Sequence, residues 1–215
     1  MINIFFDIES TGTNPYTAEI IEANFQEYID GVKTREYDYR ARVDFWSEDA
    51  EKIHKIKEYE TLGYNAKREA LEKLVSWLPK EFTFLTYANK NTELGVINYD
   101  VACLENELNL SGYKNYFLKN AKKMKAPISV HTIAKECARK LLFAPILGKE
   151  AYRLGIVRNE SAKASNRQSF AQGSVYYALF GELPPSSHRA KIDVDCLVRI
   201  YNELVSLQNE TKSLI

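Results

Sequence analysis

The sequence predicts an α/β protein with a mixed five-stranded sheet, three antiparallel strands followed by two parallel ones, flanked by helices. Three observations predict it: a dense apolar run at the start of the chain, two β-rich segments around an Asp-Gly turn signal, and a later alternation of helical and extended apolar patterns. An antiparallel meander that continues into alternating helices and strands is typical of a sheet covered by helices.

The meander comes first along the chain. Ile2 to Ile8 is a run of mostly apolar residues that leads into two carboxylates, and it predicts the first strand. Glu19 to Ile29 and Val32 to Val43 are rich in β-branched and aromatic residues, and Asp30-Gly31 between them is a strong hairpin signal. We therefore expect these three segments to pair as antiparallel neighbours.

Helices and strands alternate in the rest of the chain. Only 144–167 fits this pattern poorly, and its polar end, from Arg158, is expected to be a mobile surface loop. We expect one domain over residues 1–215, with 144–167 as an atypical insertion. The predicted helices are Ala66–Leu78, Ile97–Leu108, a segment after Val130 to about Leu142, Gln168–Phe180 and a last helix from a Ser186 or Ser187 cap to about Gln208, and the predicted strands are Phe82–Tyr87 and Pro127–Val130.

The composition is that of an ordinary globular protein of 215 residues, with 45% apolar and 27% charged residues. The 29 Lys and Arg residues balance the 29 Asp and Glu residues, so the formal net charge is zero. A protein that coats duplex nucleic acid through bulk charge is usually basic. Any nucleic-acid contact of this chain is therefore expected to be local.

The apolar runs, the start of the chain and the cysteine spacing indicate the cellular compartment. No stretch approaches the ~18 apolar residues of a membrane span, and the start, Met1-Ile2-Asn3-Ile4, lacks the features of a signal peptide. Cys103, Cys137 and Cys196 lie far apart without C-x-x-C spacing, which argues against a disulfide framework and a structural zinc site. We expect buried reduced thiols on helices, no membrane contact and a cytoplasmic protein.

Asp7 and Glu9 are the first chemical signal, because residues two apart on a strand project to the same side. Two carboxylates held together beside an apolar strand repel each other and are costly to desolvate, and Mg²⁺ or Mn²⁺ removes that cost. The spacing alone is not specific, since Asp49-Ala50-Glu51 shares it in a stretch typical of solvated helix surface. The position of Asp7 and Glu9 at the mouth of a buried strand sets them apart.

Asp193 is the second signal. It lies on the apolar stripe of the last predicted helix, because Cys196 and Leu197 follow it at i+3 and i+4, whereas Asp195 faces water. A carboxylate on that stripe needs a partner, which is either a metal ion or a buried Lys or Arg.

Asp100 and His188 depend more on their context. Asp100 opens a predicted helix with Cys103 and Leu104 on its packed side, which suits a metal ligand or a simple N-terminal helix Asp. His188 precedes Asp193 by five residues, about 140° of rotation on a continuous helix, so the two would not share a face. Placed in the lead-in to the helix, the imidazole could reach the carboxylates, although a lone His is more often structural.

Together these residues resemble the DnaQ-like, DEDDh-type exonucleases of the RNase H-like fold. The resemblance rests on Asp7-Ile8-Glu9-Ser10-Thr11-Gly12, on Tyr99-Asp100, and on His188-Arg189-Ala190-Lys191-Ile192-Asp193, which has the H-x-A-x-x-D form. It spans Met1 to about Leu207.

The resemblance implies removal of single nucleotides in the 3′→5′ direction from single-stranded ends, with two divalent metal ions, Mg²⁺ or Mn²⁺. Asp7, Glu9 and Asp193 would hold one ion, and Asp7 would also touch the second, with Asp100 near it. His188 would be the general base that deprotonates the attacking water. The residues expected to meet the terminal nucleotide are Ser10, Thr11, Gly12, His54 and Tyr99.

The chain departs from this family in three places, one of which is the 144–167 stretch, longer than the family minimum. The family's usual His-Asn pair is missing before Asp100, where Lys90 to Ile97 intervene as an apparent insertion, and Glu93 and Glu105 are therefore alternatives to Asp100. His54-Lys55-Ile56 lacks the glycine of the family's His-Gly-Ile segment.

Basic residues offer two places for a nucleic-acid contact. Lysines between Lys114 and Lys125 alternate with aromatic residues in an expected helix, and Arg158, Lys163 and Arg167 lie on the polar loop. The alternative for both is an ordinary solvated surface. Zero net charge favours a short or single-stranded substrate, or delivery by a polymerase or repair partner, and some relatives imply a homodimer.

The sequence thus predicts an exonuclease that acts on 3′ ends of single-stranded DNA. Three alternatives stay open: RNA or short oligoribonucleotides as substrate, a small or cyclic nucleotide as substrate, and a binding module on the same fold without catalysis. The presence of all four acids and the histidine argues against the last of these.

Overall fold

The computed structural model of the chain describes residues 1–87, 89–92, 95–114, 116, 124–185 and 188–213, and at 89–92, 95–97 and 124–126 it describes the backbone alone. Two compact units make up the chain: Met1–Ile128 with His188–Val194, and Ser129–Ser187 with Asp195–Ile215. The carboxylates and the histidine singled out by the sequence all belong to the first unit. The single domain over 1–215 stays a prediction.

A five-stranded sheet in the order β3-β2-β1-β4-β7 organises the first unit. The strands β1, β2 and β3 are antiparallel neighbours, and β4 runs parallel to β1. This is the mixed sheet that the sequence predicts. The strands are β1 (Ile2–Ser10), β2 (Ile20–Ile29), β3 (Val32–Arg40), β4 (Phe82–Thr86), a separate hairpin of β5 (Asn89–Thr92) and β6 (Gly95–Asn98), and β7 (Met124–Ser129).

Helices connect and follow the strands. No helix among the described residues is long and apolar enough to cross a membrane. The helices are α1 (Glu48–His54), α2 (Glu58–Thr61), α3 (Lys67–Trp77), α4 (Tyr99–Leu110), α5 (Val130–Arg139), α6 (Gly148–Arg153), α7 (Gln172–Phe180) and α8 (Ala190–Ser213).

The core of the first unit lies on one face of β1. Ile4, Phe6 and Ile8 point to this face, where they pack with residues of α3 and α4 such as Leu74 and Leu104. Each fully buried side chain of this size contributes about 1.5–3 kcal/mol. Because side chains alternate along a strand, the odd-numbered residues of β1 point to the opposite face.

Several boundaries differ from the predicted ones for local reasons. Ile97 belongs to β6 rather than to a helix, because the side chain of Asn98 accepts a hydrogen bond from the Val101 N–H at 3.1 Å and starts α4 at Tyr99. Gln168 bridges to Leu147 as extended backbone, so the next helix begins only at Gln172.

The lysine cluster and the last helix also differ. The predicted helix over the lysines is wrong at Lys125, which lies in β7, and positions 117–123 lie outside the described residues. The last helix continues to Ser213 instead of ending near Gln208, and the Ser186 and Ser187 cap lies outside the described residues. The prediction of buried free thiols is confirmed for all three cysteines.

The segment 144–167 contains more structure than the sequence indicates. Helix α6 and a 3-10 turn at Glu160–Ala162 lie within it. The polar end is tied to the start of α6 by hydrogen bonds from the Gly148 N–H to the Arg167 carbonyl (2.8 Å) and from the Lys149 N–H to the Ser165 carbonyl (2.9 Å). Elements this short carry too few residues to show a periodic pattern.

Candidate active site

Asp7 and Glu9 project from the face of β1 that does not carry the main core. Their neighbours on β2 are polar: Asp7 lies opposite Asn24, and Glu9 lies opposite Glu22. The apolar residues between and before them anchor the other face, so the sequence alternation itself presents both carboxylates together, as predicted.

Asp193 joins this pair from the first turn of α8. One carboxylate oxygen from each of Asp7, Glu9 and Asp193 lies within 4.8 Å of the others. Two backbone N–H groups also contact Asp193: its Oδ2 accepts the His188 N–H at 2.8 Å, and its carboxylate accepts the Arg189 N–H. The lead-in to α8 therefore orients the third carboxylate.

Asp100 lies in the first turn of α4 and is only 3% exposed. Its Oδ2 has no hydrogen-bond partner among the described residues. After burial, the Asp100 charge is the largest influence that raises the pKa of Asp7, so the two carboxylates act on each other directly. Of the alternatives for this position, Glu105 lies further along α4 and Glu93 lies outside the described residues.

These four carboxylates resist ionisation. Burial is the main cause at each: it raises the pKa of Asp100 to about 7 and that of Asp193 to about 6, and it raises the pKa values of Asp7 and Glu9 well above their usual range. Repulsion among the acids adds to the shift at Asp7 and Glu9. The Arg189 charge lowers the pKa of Glu9, but it acts less strongly than burial and the neighbouring acids.

A divalent cation fits this donor set. A cation bound here would give the Asp100 Oδ2 a partner and would offset the repulsion among the closely spaced carboxylates. All the donors are hard oxygens, which suit Mg²⁺ or Mn²⁺ rather than a thiolate-binding metal.

His188 sits at the start of the turn that leads into α8. Its backbone has φ of 72°, a left-handed conformation that is uncommon outside glycine. The backbone N–H of His188 donates to Asp193 Oδ2 at 2.8 Å. This hydrogen bond places His188 beside the carboxylate cluster, even though it shares no helix face with Asp193.

A cavity of about 610 Å³ opens beside Glu9. Its walls combine apolar side chains with hydroxyls and two carboxylates, a mixture typical of small-ligand sites. The lining residues are Ile8, Glu9, Ser10, Gly12, Thr13, Ser47, Asp49, Ala50, Ile53, His54 and Tyr99.

His54 is one of the residues that line this cavity. The side chain is 2% exposed, its Nδ1 accepts the Ile56 N–H at 3.0 Å, and its Nε2 has no hydrogen-bond partner among the described residues. A neutral imidazole that accepts at Nδ1 carries its proton on Nε2. Because burial lowers the pKa of His54, the ring offers a neutral N–H donor.

The other predicted substrate residues divide into two groups. The Gly12 carbonyl accepts the hydroxyls of Ser10 (3.0 Å) and Tyr99 (2.5 Å), which closes the turn after β1 against the start of α4. Thr11 does not line the cavity, since its Oγ1 accepts the Glu19 N–H at 3.0 Å.

Sequence analysis missed an ion pair and several cavity-lining residues. Glu22 and Arg189 form an ion pair beside the carboxylates, with 3.0 Å between Arg189 Nη2 and Glu22 Oε2. The available signal was an acidic residue in an otherwise apolar stretch of the second strand, but its partner lies 167 residues away. Ser47 and Ile53 were also missed, because only the packing of α1 brings them to the cavity.

Comparison with known proteins gives a fold but no sequence relative. No protein-family model matches the chain, and no curated protein matches it. Among solved structures, E. coli exonuclease I in complex with a dT13 oligonucleotide aligns at a TM-score of 0.75 and 15% identity, over 99% of this chain and 43% of that chain. This chain has an RNase H-like fold.

Further exonuclease I structures agree. The apo form aligns at a TM-score of 0.74 and 14% identity, over 97% of this chain and 43% of that one. A structure of SSB and exonuclease I with the inhibitor CFAM gives the same score and identity, over 97% and 42%. At these identities the likeness concerns the RNase H-like fold, and the present chain spans less than half the length of the exonuclease I chains.

Proposed function

We propose that this chain is a metal-dependent exonuclease that hydrolyses phosphodiester bonds from the 3′ end of single-stranded DNA and releases nucleoside monophosphates. The observation that carries the proposal is the meeting of Asp7, Glu9 and Asp193 beside a nucleotide-sized cavity. The choice of single-stranded DNA draws on the exonuclease I structures with bound oligonucleotides, and it agrees with the zero net charge of this chain.

The carboxylates hold the metal ions in this proposal. Asp7, Glu9 and Asp193 would bind one divalent cation, and Asp7 with Asp100 would bind a second. Paired Mg²⁺ or Mn²⁺ ions, when bound, stabilise both the attacking and the leaving oxygen of a phosphoryl displacement. The carboxylates alone would repel an incoming phosphate, so the chain is expected to be inert in chelator.

His188 acts as the general base. A neutral ring nitrogen removes a proton from the attacking water, a role that suits an imidazole near neutral pH. The backbone bond from its N–H to Asp193 keeps the residue that carries the base next to a residue that holds the metal.

The cavity holds the terminal nucleotide. Its volume is within the range of small-molecule sites, about 300–1,000 Å³. The apolar walls, which include Ala50 and Ile53, contact the base, and the His54 Nε2–H donates a hydrogen bond to an acceptor of the nucleotide. The Ser10 and Tyr99 hydroxyls border the same space and limit how the sugar enters.

A strand-shortening assay tests the proposal. Two 5′-labelled single strands of one sequence, DNA and RNA, are incubated with Mg²⁺, Mn²⁺ or chelator. We expect a metal-dependent ladder that shortens from the 3′ end of the DNA, and its loss in Asp7→Ala and Asp193→Ala. Asp195→Ala is the matched control, because Asp195 is an exposed residue of the same helix and should leave the ladder intact.

Other outcomes reassign the function. A faster ladder on RNA would move the substrate to ribonucleotides with the same chemistry. Full Mg²⁺-dependent activity in Asp7→Ala would remove the metal site from the proposal. No ladder on either strand would leave a small-nucleotide substrate or a binding role, which a survey of nucleotide hydrolysis products separates.

A further inference from the structure

Arg189 makes a two-pronged contact next to the histidine. Its Nε donates to Glu22 Oε1 at 3.3 Å, and its Nη2 donates to Glu22 Oε2 at 3.0 Å. Glu22 is buried on β2, directly opposite Glu9. The fork therefore ties the residue after His188 to the strand that neighbours the carboxylates.

His188 needs such a restraint. The backbone of His188 is left-handed, with φ of 72°, a conformation that is strained for a residue with a side chain, so the turn keeps this shape only where surrounding contacts hold it. The His188 N–H bond to Asp193 is one contact within the turn. The two hydrogen bonds from Arg189 to Glu22 fix the turn to the sheet. Two residues further on, Lys191 forms a second ion pair with Glu36 of β3.

We propose that the Glu22–Arg189 pair is a positioning device that fixes the His188 imidazole relative to the carboxylates of Asp7 and Glu9. This inference rests on the function proposed above, and in it Arg189 is a positioning residue that acts through its neighbour. A base must stay within about 0.5 Å of its productive place, and misplacement by about 1 Å costs on the order of 100-fold in rate. An ion pair that joins the base-bearing turn to the strand beside the ligands supplies that restraint.

Strand β2 carries a second glutamate, Glu27, whose ion pair serves as a matched control. Arg35 of β3 donates from Nε to Glu27 Oε1 (2.9 Å) and from Nη2 to Glu27 Oε2 (2.7 Å), in the same fork geometry. The side chains of Arg35 and Glu27 are 41% and 5% exposed, against 39% and 7% for Arg189 and Glu22. The two pairs are alike in fork geometry and exposure, and only the Arg189 pair adjoins the histidine. Arg35 also lies over the Trp77 ring, 4.6 Å from its centroid.

The first experiment compares Arg189→Ala with Arg35→Ala in the full chain, through kcat, KM, Mn²⁺ affinity and melting temperature. We expect Arg189→Ala to lower kcat by ~10–100-fold with KM and Mn²⁺ affinity changed by less than ~3-fold. Arg35→Ala should lose at least as much thermal stability, because Arg35 also packs on Trp77, and should keep its kcat. Arg40, 3.8 Å from Glu22, still compensates the buried carboxylate in Arg189→Ala, so this variant is expected to fold.

Two further variants test the pair as a unit. Arg189→Lys keeps the charge and one hydrogen bond, so kcat should recover in part. Glu22→Gln keeps the shape of the carboxylate, and the double variant with Arg189→Ala should be no slower than the slower single variant, because both changes break one contact. Independent, multiplying losses would overturn the inference.

A second readout does not depend on activity. The chain has three histidines, so the His188 ring signal in an NMR spectrum of the metal-free protein is assigned by its disappearance in His188→Ala. In Arg189→Ala this signal should shift or split, whereas in Arg35→Ala it should stay in place. An unchanged ring signal overturns the inference whether or not the protein cleaves DNA.

The remaining outcomes are separable. A rise in KM at constant kcat would make Arg189 a substrate contact, and a loss of Mn²⁺ affinity would make it a support of the metal ligands. Either result overturns the positioning role. An inactive wild-type protein would contradict the proposed function alone, since the ring signal still decides the inference.

Discussion

Single residues carry unusual backbone conformations around the site. Lys55 follows His54 at the end of α1 with φ of 62°, and its N–H bonds to the Glu51 carbonyl at 2.8 Å to cap the helix. The resembled family has glycine at this position, which adopts the left-handed conformation readily. The departure noted in the sequence is therefore a change of side chain on a backbone that still turns as glycine would.

Lys55→Gly should stabilise the protein. Relief of left-handed strain, about 1–2 kcal/mol, outweighs the greater freedom of glycine in the unfolded chain, about 0.5–1 kcal/mol. We expect a net gain of about 0.5–1 kcal/mol, measured as a higher urea midpoint at an unchanged slope. Lys52→Gly, inside the same helix, should instead lose about 1 kcal/mol. A loss of stability in Lys55→Gly would contradict the account of the cap.

His188→Ala separates the base from the metal ligands. Because the imidazole moves a proton and does not belong to the carboxylate cluster, we expect kcat to fall by about 100–10,000-fold while Mn²⁺ binding persists in a titration. His131→Ala, in the second unit, is the matched control and should keep its rate. Loss of Mn²⁺ binding in His188→Ala would show that the histidine supports the metal site.

At the scale of elements, the sequence predicts what local pattern encodes. Strand β1 and helices α3 and α4 follow from apolar spacing, because each buries one face in the core. The β5–β6 hairpin and α6 could not be predicted. Each of the two strands has four residues and α6 has six, which is too short to show a periodic apolar pattern. The Asp-Gly turn allowed the β2–β3 hairpin to be predicted, because the conformation of a tight turn depends on the residues in the turn itself.

The candidate site divides in the same way. Asp7 and Glu9 could be predicted because strand alternation places them together. The Glu22–Arg189 fork could not, because it depends on the register of β1 with β2 and on where α8 begins. The sequence left two partners open for Asp193, a metal or a basic residue. In the structure Asp193 accepts the His188 N–H and lies within reach of the carboxylates of Asp7 and Glu9.

The polar network between β2, β3 and α8 predicts acid sensitivity. Although burial acts to raise the pKa of Glu36, hydrogen bonds from Lys191, Lys33 and Asn24 lower it to about 2. A carboxyl with a lowered folded-state pKa contributes stability above its unfolded pKa, near 4.5, and loses it as pH falls toward 2.

Glu36→Gln should therefore flatten the pH dependence of unfolding. Between pH 5 and pH 3 the wild-type chain should lose on the order of 2 kcal/mol more than Glu36→Gln, measured by urea unfolding at each pH. Glu72→Gln removes an exposed partner of Arg68 and should keep the wild-type slope. Equal slopes in the wild type and Glu36→Gln would contradict the role of the network.

For the whole molecule, the carboxylate cluster sets function against stability. Folding brings Asp7, Glu9, Asp100 and Asp193 together, and burial and mutual repulsion oppose their ionisation more strongly than the nearby Arg189 charge favours it at Glu9. The core must supply the free energy that this arrangement costs. A bound divalent cation returns part of it, because any ligand that binds only the folded state stabilises that state.

Asp7→Asn should therefore raise the melting temperature in chelator while it abolishes activity. Removing one of the four charges is expected to be worth about 1–2 kcal/mol, or roughly 2–8 °C for a chain of this size. Added Mn²⁺ at about 100 times its Kd should stabilise the wild type by about 2.7 kcal/mol and Asp7→Asn by much less, so the order of the two melting curves reverses. Asp195→Asn, outside the cluster, should follow the wild type in both conditions. Wild-type melting that ignores Mn²⁺, or an Asp7→Asn variant less stable than the wild type in chelator, would mean that the acids are balanced within the protein and that no cation is needed to offset them.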